Sequence, residues 1–259
     1  MSARFLASVV TFLVLDCAVA VALPRCAGPV KLANAHLARV DEKTGVLNLT
    51  GGHRVHLEGV RLPAGAADRA PVEYARAALN AIAKISRSDA LTLTTTRPEL
   101  DRYRRLRAQA FAGEHWLQAD LLERGLARVS LAPDRTECAS ELLAIEARAR
   151  QTRKGIWASP DYAVRSPLDI GRHVGTFQIV EGTVLSATNK NGRVFLNFGD
   201  NWRKDFTVTV DPDDMANFRR SGVDPKSYSG QTIRVRGWVQ SHYGPEIEVP
   251  TPQSIEVIK

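Results

Sequence analysis

The chain lacks the compact motifs that mark the commonest enzyme classes. It has no glycine-rich phosphate loop, no cysteine/histidine cluster at zinc spacing, no Ser/His/Asp nucleophile constellation and no repeat array. It also lacks a membrane-length apolar run. The clean stretch from Phe5 to Leu15 is about 11 residues, against the roughly 20 that a spanning helix needs, and Asp16 interrupts it. With Arg4 ahead of it and Ala18-Val19-Ala20-Val21-Ala22 behind, this stretch reads as a signal peptide over residues 1–22. Export follows, with the periplasm as the expected compartment and no transmembrane segment in the mature chain.

Cysteine is scarce: of 3 in the chain, only Cys26 and Cys138 lie beyond the signal segment. An even count in an exported chain favours a disulfide between them, which would pin an N-terminal arm, residues 23–37, to the helical end of the first domain. Free thiols are the alternative. Two lone cysteines without histidine neighbours make a poor zinc site. Acidic residues are in deficit, 28 against 35 Lys and Arg, for a formal charge of +7. Removing residues 1–22 deletes Arg4 and Asp16 together and leaves that balance unchanged. A basic surface attracts nucleic acid, anionic lipid or cell-wall polymers; solubility alone is the competing explanation.

What is present divides into two parts. Alternating apolar runs at Gly45 to Leu49 and Arg54 to Val60 flank a Thr50-Gly51-Gly52-His53 turn and read as strands. Between Pro71 and Ile85 the apolar residues Val72, Ala75, Leu79, Ile82 and Ala83 recur at helical spacing. Strands are predicted at Ala90 to Thr95 and Arg105 to Phe111. Helices are predicted at Trp116 to Arg124, stopped by Gly125, and at Thr136 to Thr152. The order is an α+β pattern. A Pro-containing polar stretch, residues 159–172, reads as a linker. Beyond it, strands at Phe177 to Ala187, Arg193 to Gly199 and Phe206 to Val210 lead to a short helix near Asp213 to Arg220. Further strands follow at Gln231 to Gln240, Glu246 to Val249 and Ile255 to Ile258. Residues 173–259 therefore read as a second, small OB-like β-barrel.

The segment Asp101-Arg102-Tyr103-Arg104-Arg105-Leu106-Arg107-Ala108 is followed by Trp116-Leu117-Gln118 and by Leu121-Leu122-Glu123-Arg124-Gly125-Leu126-Ala127-Arg128-Val129. Upstream stands Val55-His56-Leu57-Glu58-Gly59-Val60-Arg61-Leu62-Pro63-Ala64. In these runs and their spacing the chain resembles the thermonuclease (staphylococcal-nuclease-like) family. The resemblance covers roughly residues 38–158 and implies a five-stranded OB-fold barrel with packed helices.

Phosphodiester hydrolysis needs a base or metal to activate water and cations to neutralise the phosphoryl oxygens. The resemblance implies two aspartates on calcium, a glutamate base and two phosphate arginines. The first metal aspartate falls on Lys43 or Gly45, the second on Arg61, and the base on Ala64, so no carboxylate remains at any of them. One phosphate arginine falls on His56. The other is retained as Arg105, with Asp101 and Tyr103 beside it and Arg104 in place of the usual glycine. Loss of a base typically costs roughly 10² to 10⁴-fold, so little turnover of the family type is expected. No metal is expected, and calcium only if a rearranged site, such as one using Glu58 and Asp41, is active.

Tyr103, Arg104, Arg105 and Arg107 suit phosphate contact with base stacking; a solvated basic turn is the alternative. In the second domain Arg193, Trp202, Arg203 and Lys204 interleave basic and aromatic residues in the way single-strand-binding OB folds do. Trp202 is expected exposed, Trp157 and Trp238 buried. The leading expectation is an exported module that binds nucleic acid or another polyanion with little or no phosphodiesterase activity. The alternatives are an active metal-dependent nuclease with a rearranged site and an envelope scaffold that binds protein.

Overall fold

A computed structural model describes residues 23–201 and 203–258. The signal-peptide expectation for residues 1–22 and the expectation for Trp202 lie outside the described residues. Among the described residues no helix is long and apolar enough to cross a membrane.

The first part is built from β1 (Val30–Ala35), β2 (Leu37–Val40), β3 (Leu47–Leu49), β4 (Arg54–Leu57), β5 (Val60–Arg61), α1 (Val72–Ser88), β6 (Leu91–Thr94), β7 (Leu106–Ala112), β8 (His115–Trp116), α2 (Leu117–Glu123), β9 (Arg128–Val129) and α3 (Ala139–Gln151). Its sheet runs β1-β6-β7-β4-β3-β2, with β8 on β7, which makes seven strands where five were expected. β5 and β9 pair separately. Residues 30–35, read as part of an arm, are instead a strand paired antiparallel to β6.

The core follows the sequence pattern. Leu47, Val55, Leu91 and Leu93 of the strands meet Ile82 and Ile85 of α1, Leu121 and Leu122 of α2, and Leu142 of α3. Burying each such side chain contributes about 1.5–3 kcal/mol. The Trp116-Leu117-Gln118 run proves to be a clamp between α2 and β7. The Gln118 side chain donates to Ala108 O at 2.9 Å and accepts from Ala110 N, and the Trp116 indole donates to Gln109 Oε1. Gly125 ends α2 at φ 64, and a Cβ there would lie 2.1 Å from Lys154 O, so this crossing of two turns requires glycine. Cys26 and Cys138 form the expected disulfide, tying the segment before β1 to the start of α3.

The second part comprises β10 (Phe177–Thr183), β11 (Ser186–Lys190), β12 (Arg193–Asn197), β13 (Thr207–Val210), α4 (Met215–Arg220), β14 (Thr232–His242), β15 (Gly244–Glu248) and β16 (Ile255–Val257). Its sheet runs β10-β14-β15-β13-β12-β11, with β16 on β14. This is the strand order of the first sheet repeated. Each has a three-strand meander (β2-β3-β4 or β11-β12-β13) and a single parallel pair (β4 with β7 or β13 with β15). A helix, α1 or α4, is inserted after the meander. The α+β content and this order are consistent with an OB-like fold.

Residues 159–172 are docked rather than extended. Arg165 N donates to Ile179 O, and Glu181 N donates to Arg165 O, so the segment lies along β10. Trp157 is buried as expected. Trp238 is not: 45% of it is exposed, because it alternates with buried Val239 along β14 and so faces away from the second core.

Candidate nucleic-acid interface

The turn between β2 and β3 is held by Asp41. Its Oδ1 accepts from Thr44 N at 2.9 Å and from Thr44 Oγ1 at 2.7 Å, and these bonds hold the carboxyl below the usual range. Gly45 then packs against Leu62, where a Cβ would meet Leu62 Cδ1 at 2.6 Å. The turn and the Arg61–Ala64 segment thereby become two walls of one cleft of about 700 Å³, with His56 and Glu58 of β4 and its following turn also lining it. Lys43, Gly45, His56, Arg61 and Ala64 are thus gathered in a single hollow.

None of these five positions carries a carboxylate. Glu42 and Glu58 also line the cleft, but Arg107 Nε donates to Glu58 Oε2 at 2.7 Å. Arg107 also forks onto Asp134 at 2.8 and 2.9 Å and is 8% exposed. Arg107, expected on phosphate, has its guanidinium on two carboxylates, brought from positions 49 and 27 residues away. Although burial opposes its charge, the bonds to Asp134 and Glu58 raise Arg107 above its ordinary value.

Arg61 is also turned to a structural use. Its guanidinium lies 4.5 Å from the Trp238 ring centroid, with Nη2 3.6 Å from Asp68 Oδ1. Asp68 in turn accepts from Ala64 N at 2.9 Å and from the Tyr162 hydroxyl at 3.2 Å, and pairs with Arg128 at 2.9 Å. Arg128 Nη1 donates to Phe177 O of β10 at 2.7 Å. A second buried network crosses the same seam: Glu146 of α3 accepts from Val129 N and from Arg236 of β14, each at 2.7 Å, and Arg236 reaches Glu256 at 2.6 Å. Burial works against the Arg236 charge, yet Glu146 and Glu256 raise its pKa. None of these long-range partners was legible in the local sequence.

The exposed cations lie on the turn before β7. Asp101 Oδ1 accepts from Tyr103 N and Arg105 N at 2.9 Å, and Asp101 Oδ2 accepts from Arg105 Nε at 2.6 Å. Burial opposes the Asp101 charge, but these bonds hold its carboxyl below the usual range. Arg102 and Arg105 each lie 4.9 Å from the Tyr103 ring centroid, and Tyr103 is 55% exposed. Arg104 sits at φ 58, a left-handed position that explains the usual glycine there, and it faces solvent. The β4–β7 register, Val55 opposite Leu106, places Arg105 near His56, on which it acts electrostatically.

The basic hairpin of the second domain is arranged otherwise. Arg193 bonds to Asp211 and lies 3.9 Å from Glu246 and 3.7 Å from Glu248, so its charge is already met. Arg203 and Lys204 are exposed on a turn closed by Asn201 and Asp205.

Among the described residues no group of three or more His, Cys, Asp or Glu side chains could hold a metal ion. No curated protein matches the chain. Residues 54–159, from β4 to just beyond α3, match the family model described as staphylococcal nuclease homologue.

Proposed function

We propose that this is an exported, staphylococcal-nuclease-like module that binds nucleic acid or another polyanion and has little or no phosphodiesterase activity. The observation that carries the reading is the cleft itself. The positions that would supply a metal site and a base are Lys43 or Gly45, Arg61 and Ala64, while nearby Glu58 is neutralised by Arg107. An arginine at a former metal position repels a divalent cation, and alanine cannot accept a proton from water. Binding is supported by Arg102 and Arg104, which are exposed around Tyr103, and by Arg105, held beside His56. The disulfide and the N-terminal apolar run support export, with the periplasm as the compartment.

The test is to incubate the purified protein with end-labelled single-stranded DNA and RNA, with calcium and with chelator, and to resolve cleavage and complex formation together. Intact strands in a salt-sensitive complex are expected. Chelator-sensitive fragments that disappear in Arg105→Ala would establish an active, rearranged nuclease instead. Neither signal would shift the reading to a protein-binding scaffold.

A further inference from the structure

The first cleft does not stop at the edge of its domain. Ser130 and Leu131, which follow β9, line both it and a second cleft of about 280 Å³. Phe177, Trp238, Gln240 and Pro250 of the second domain form the far wall of that second hollow. Arg61, which lines the first, stacks on Trp238, which lines the second. The two hollows share Ser130 and Leu131 as a common wall; Lys43 and Arg61 line the first beside Glu42 and Glu58, and Phe177 and Trp238 of the other domain line the second.

Trp238 is the aromatic residue suited to a ligand here. Arg61 covers part of the ring, Phe177 meets it edge-on at 6.2 Å, and 45% of the residue stays exposed. An indole so held is a rigid platform, and bases stack on such surfaces whatever their sequence. Gln240, exposed two residues further along β14, offers both a donor and an acceptor to a base edge. Glu248 also lines this hollow, where Arg193 lies 3.7 Å from its carboxylate.

Building on the polyanion reading, we propose that the two domains share one groove for a single-stranded nucleic acid. The phosphates run past Lys43 and the Arg102–Arg105 turn, and a base stacks on Trp238, whose ring Arg61 backs. Affinity then depends on a strand long enough to occupy both hollows.

The test uses oligothymidylates of about 4 and about 16 nucleotides, the range of site sizes for one OB fold, followed by anisotropy and by tryptophan emission. The parent should bind the longer strand more tightly and lose emission as it does so. Trp238→Ala should weaken the longer complex roughly 5- to 150-fold, the equivalent of about 1–3 kcal/mol per stacked base. Trp238→Phe, which keeps the packing under Arg61, should retain most of the affinity but lose the quench, so the result stands even if the alanine variant folds poorly. A salt-sensitive complex whose affinity ignores Trp238→Ala, or a quench that persists in Trp238→Phe, would overturn the shared groove and leave the polyanion reading intact. No binding by the parent to either strand would overturn both.

Discussion

The two sheets repeat one strand order, yet the parallel pair at the centre of each carries opposite charge on the face turned from its core. In the first, Val55 and Leu106 point inward, and the next register pair is His56 with Arg107. In the second, Val208 and Ile247 point inward, flanked by Thr207 with Glu246 and Thr209 with Glu248. Thr209 Oγ1 donates to Glu246 Oε1 at 2.9 Å, and Arg193 is the cation that answers those glutamates. The same scaffold position is thus basic with two acidic partners, Glu58 and Asp134, in the first domain and acidic with one basic partner in the second. A fold fixes where a binding face lies, while the charge of that face is set by residues that arrive from other strands.

The comparison is put to its hardest test at Arg107. If it is the structural answer to Glu58, Arg107→Ala leaves a buried carboxylate unpaired and should cost about 3–5 kcal/mol in denaturant unfolding. The salt dependence of oligonucleotide binding by the folded fraction should not change. A stable variant with a reduced salt slope would instead make Arg107 a phosphate ligand, and the face more open than its geometry indicates.

The exposed turn should respond the other way. Replacing Arg102 and Arg104 together with alanine removes no buried partner, so stability should hold within about 0.5 kcal/mol. The slope of log affinity against log salt should fall by roughly 0.7 for each phosphate of a single strand that is no longer neutralised. An unchanged slope would remove the turn from the interface. On the acidic face, Arg193→Ala should lower stability by about 1 kcal/mol or less, because the pairs are partly solvated. Oligonucleotide affinity should fall far less there than at the turn, because Arg193 already answers Asp211, Glu246 and Glu248 rather than a phosphate.

Much of the scaffold was legible because local signals agreed with the tertiary outcome. Val72, Ala75, Leu79 and Ile82 marked α1, and the alternation of Val194 and Leu196 against Arg193 and Phe195 marked β12. β1 and β2 were missed because both strands are short and largely solvent-facing, so neither carries a buried apolar face. At the site, the retained Arg105 and the missing carboxylates were readable from position alone. The fate of Arg107 was not, since Glu58 and Asp134 meet it only after β4, β7 and the loop beyond β9 have come together. Trp238 was misread for a different reason: it was expected in the core, but its alternation with inward-facing Val239 along β14 turns it outward, where Arg61 covers only part of the ring.

The smallest effect sharpens the comparison at His56. Burial holds this imidazole below its ordinary value; Glu58 and Asp101 oppose that, and Arg105 and Arg107 reinforce it. The unfolded chain therefore takes up the proton first, at about pH 6.5, while the folded chain waits for a lower pH. Between those two values the unfolded state binds more protons, so stability falls as pH drops through about 6.5 and levels off below the folded value. His56→Gln removes this contribution, and the difference between the parent and variant unfolding curves should descend only on the acid side. A difference that stays flat would mean a solvated imidazole. The descending curve would mean that His56 is uncharged at neutral pH, leaving arginine, and not histidine, as the source of positive charge on the first face.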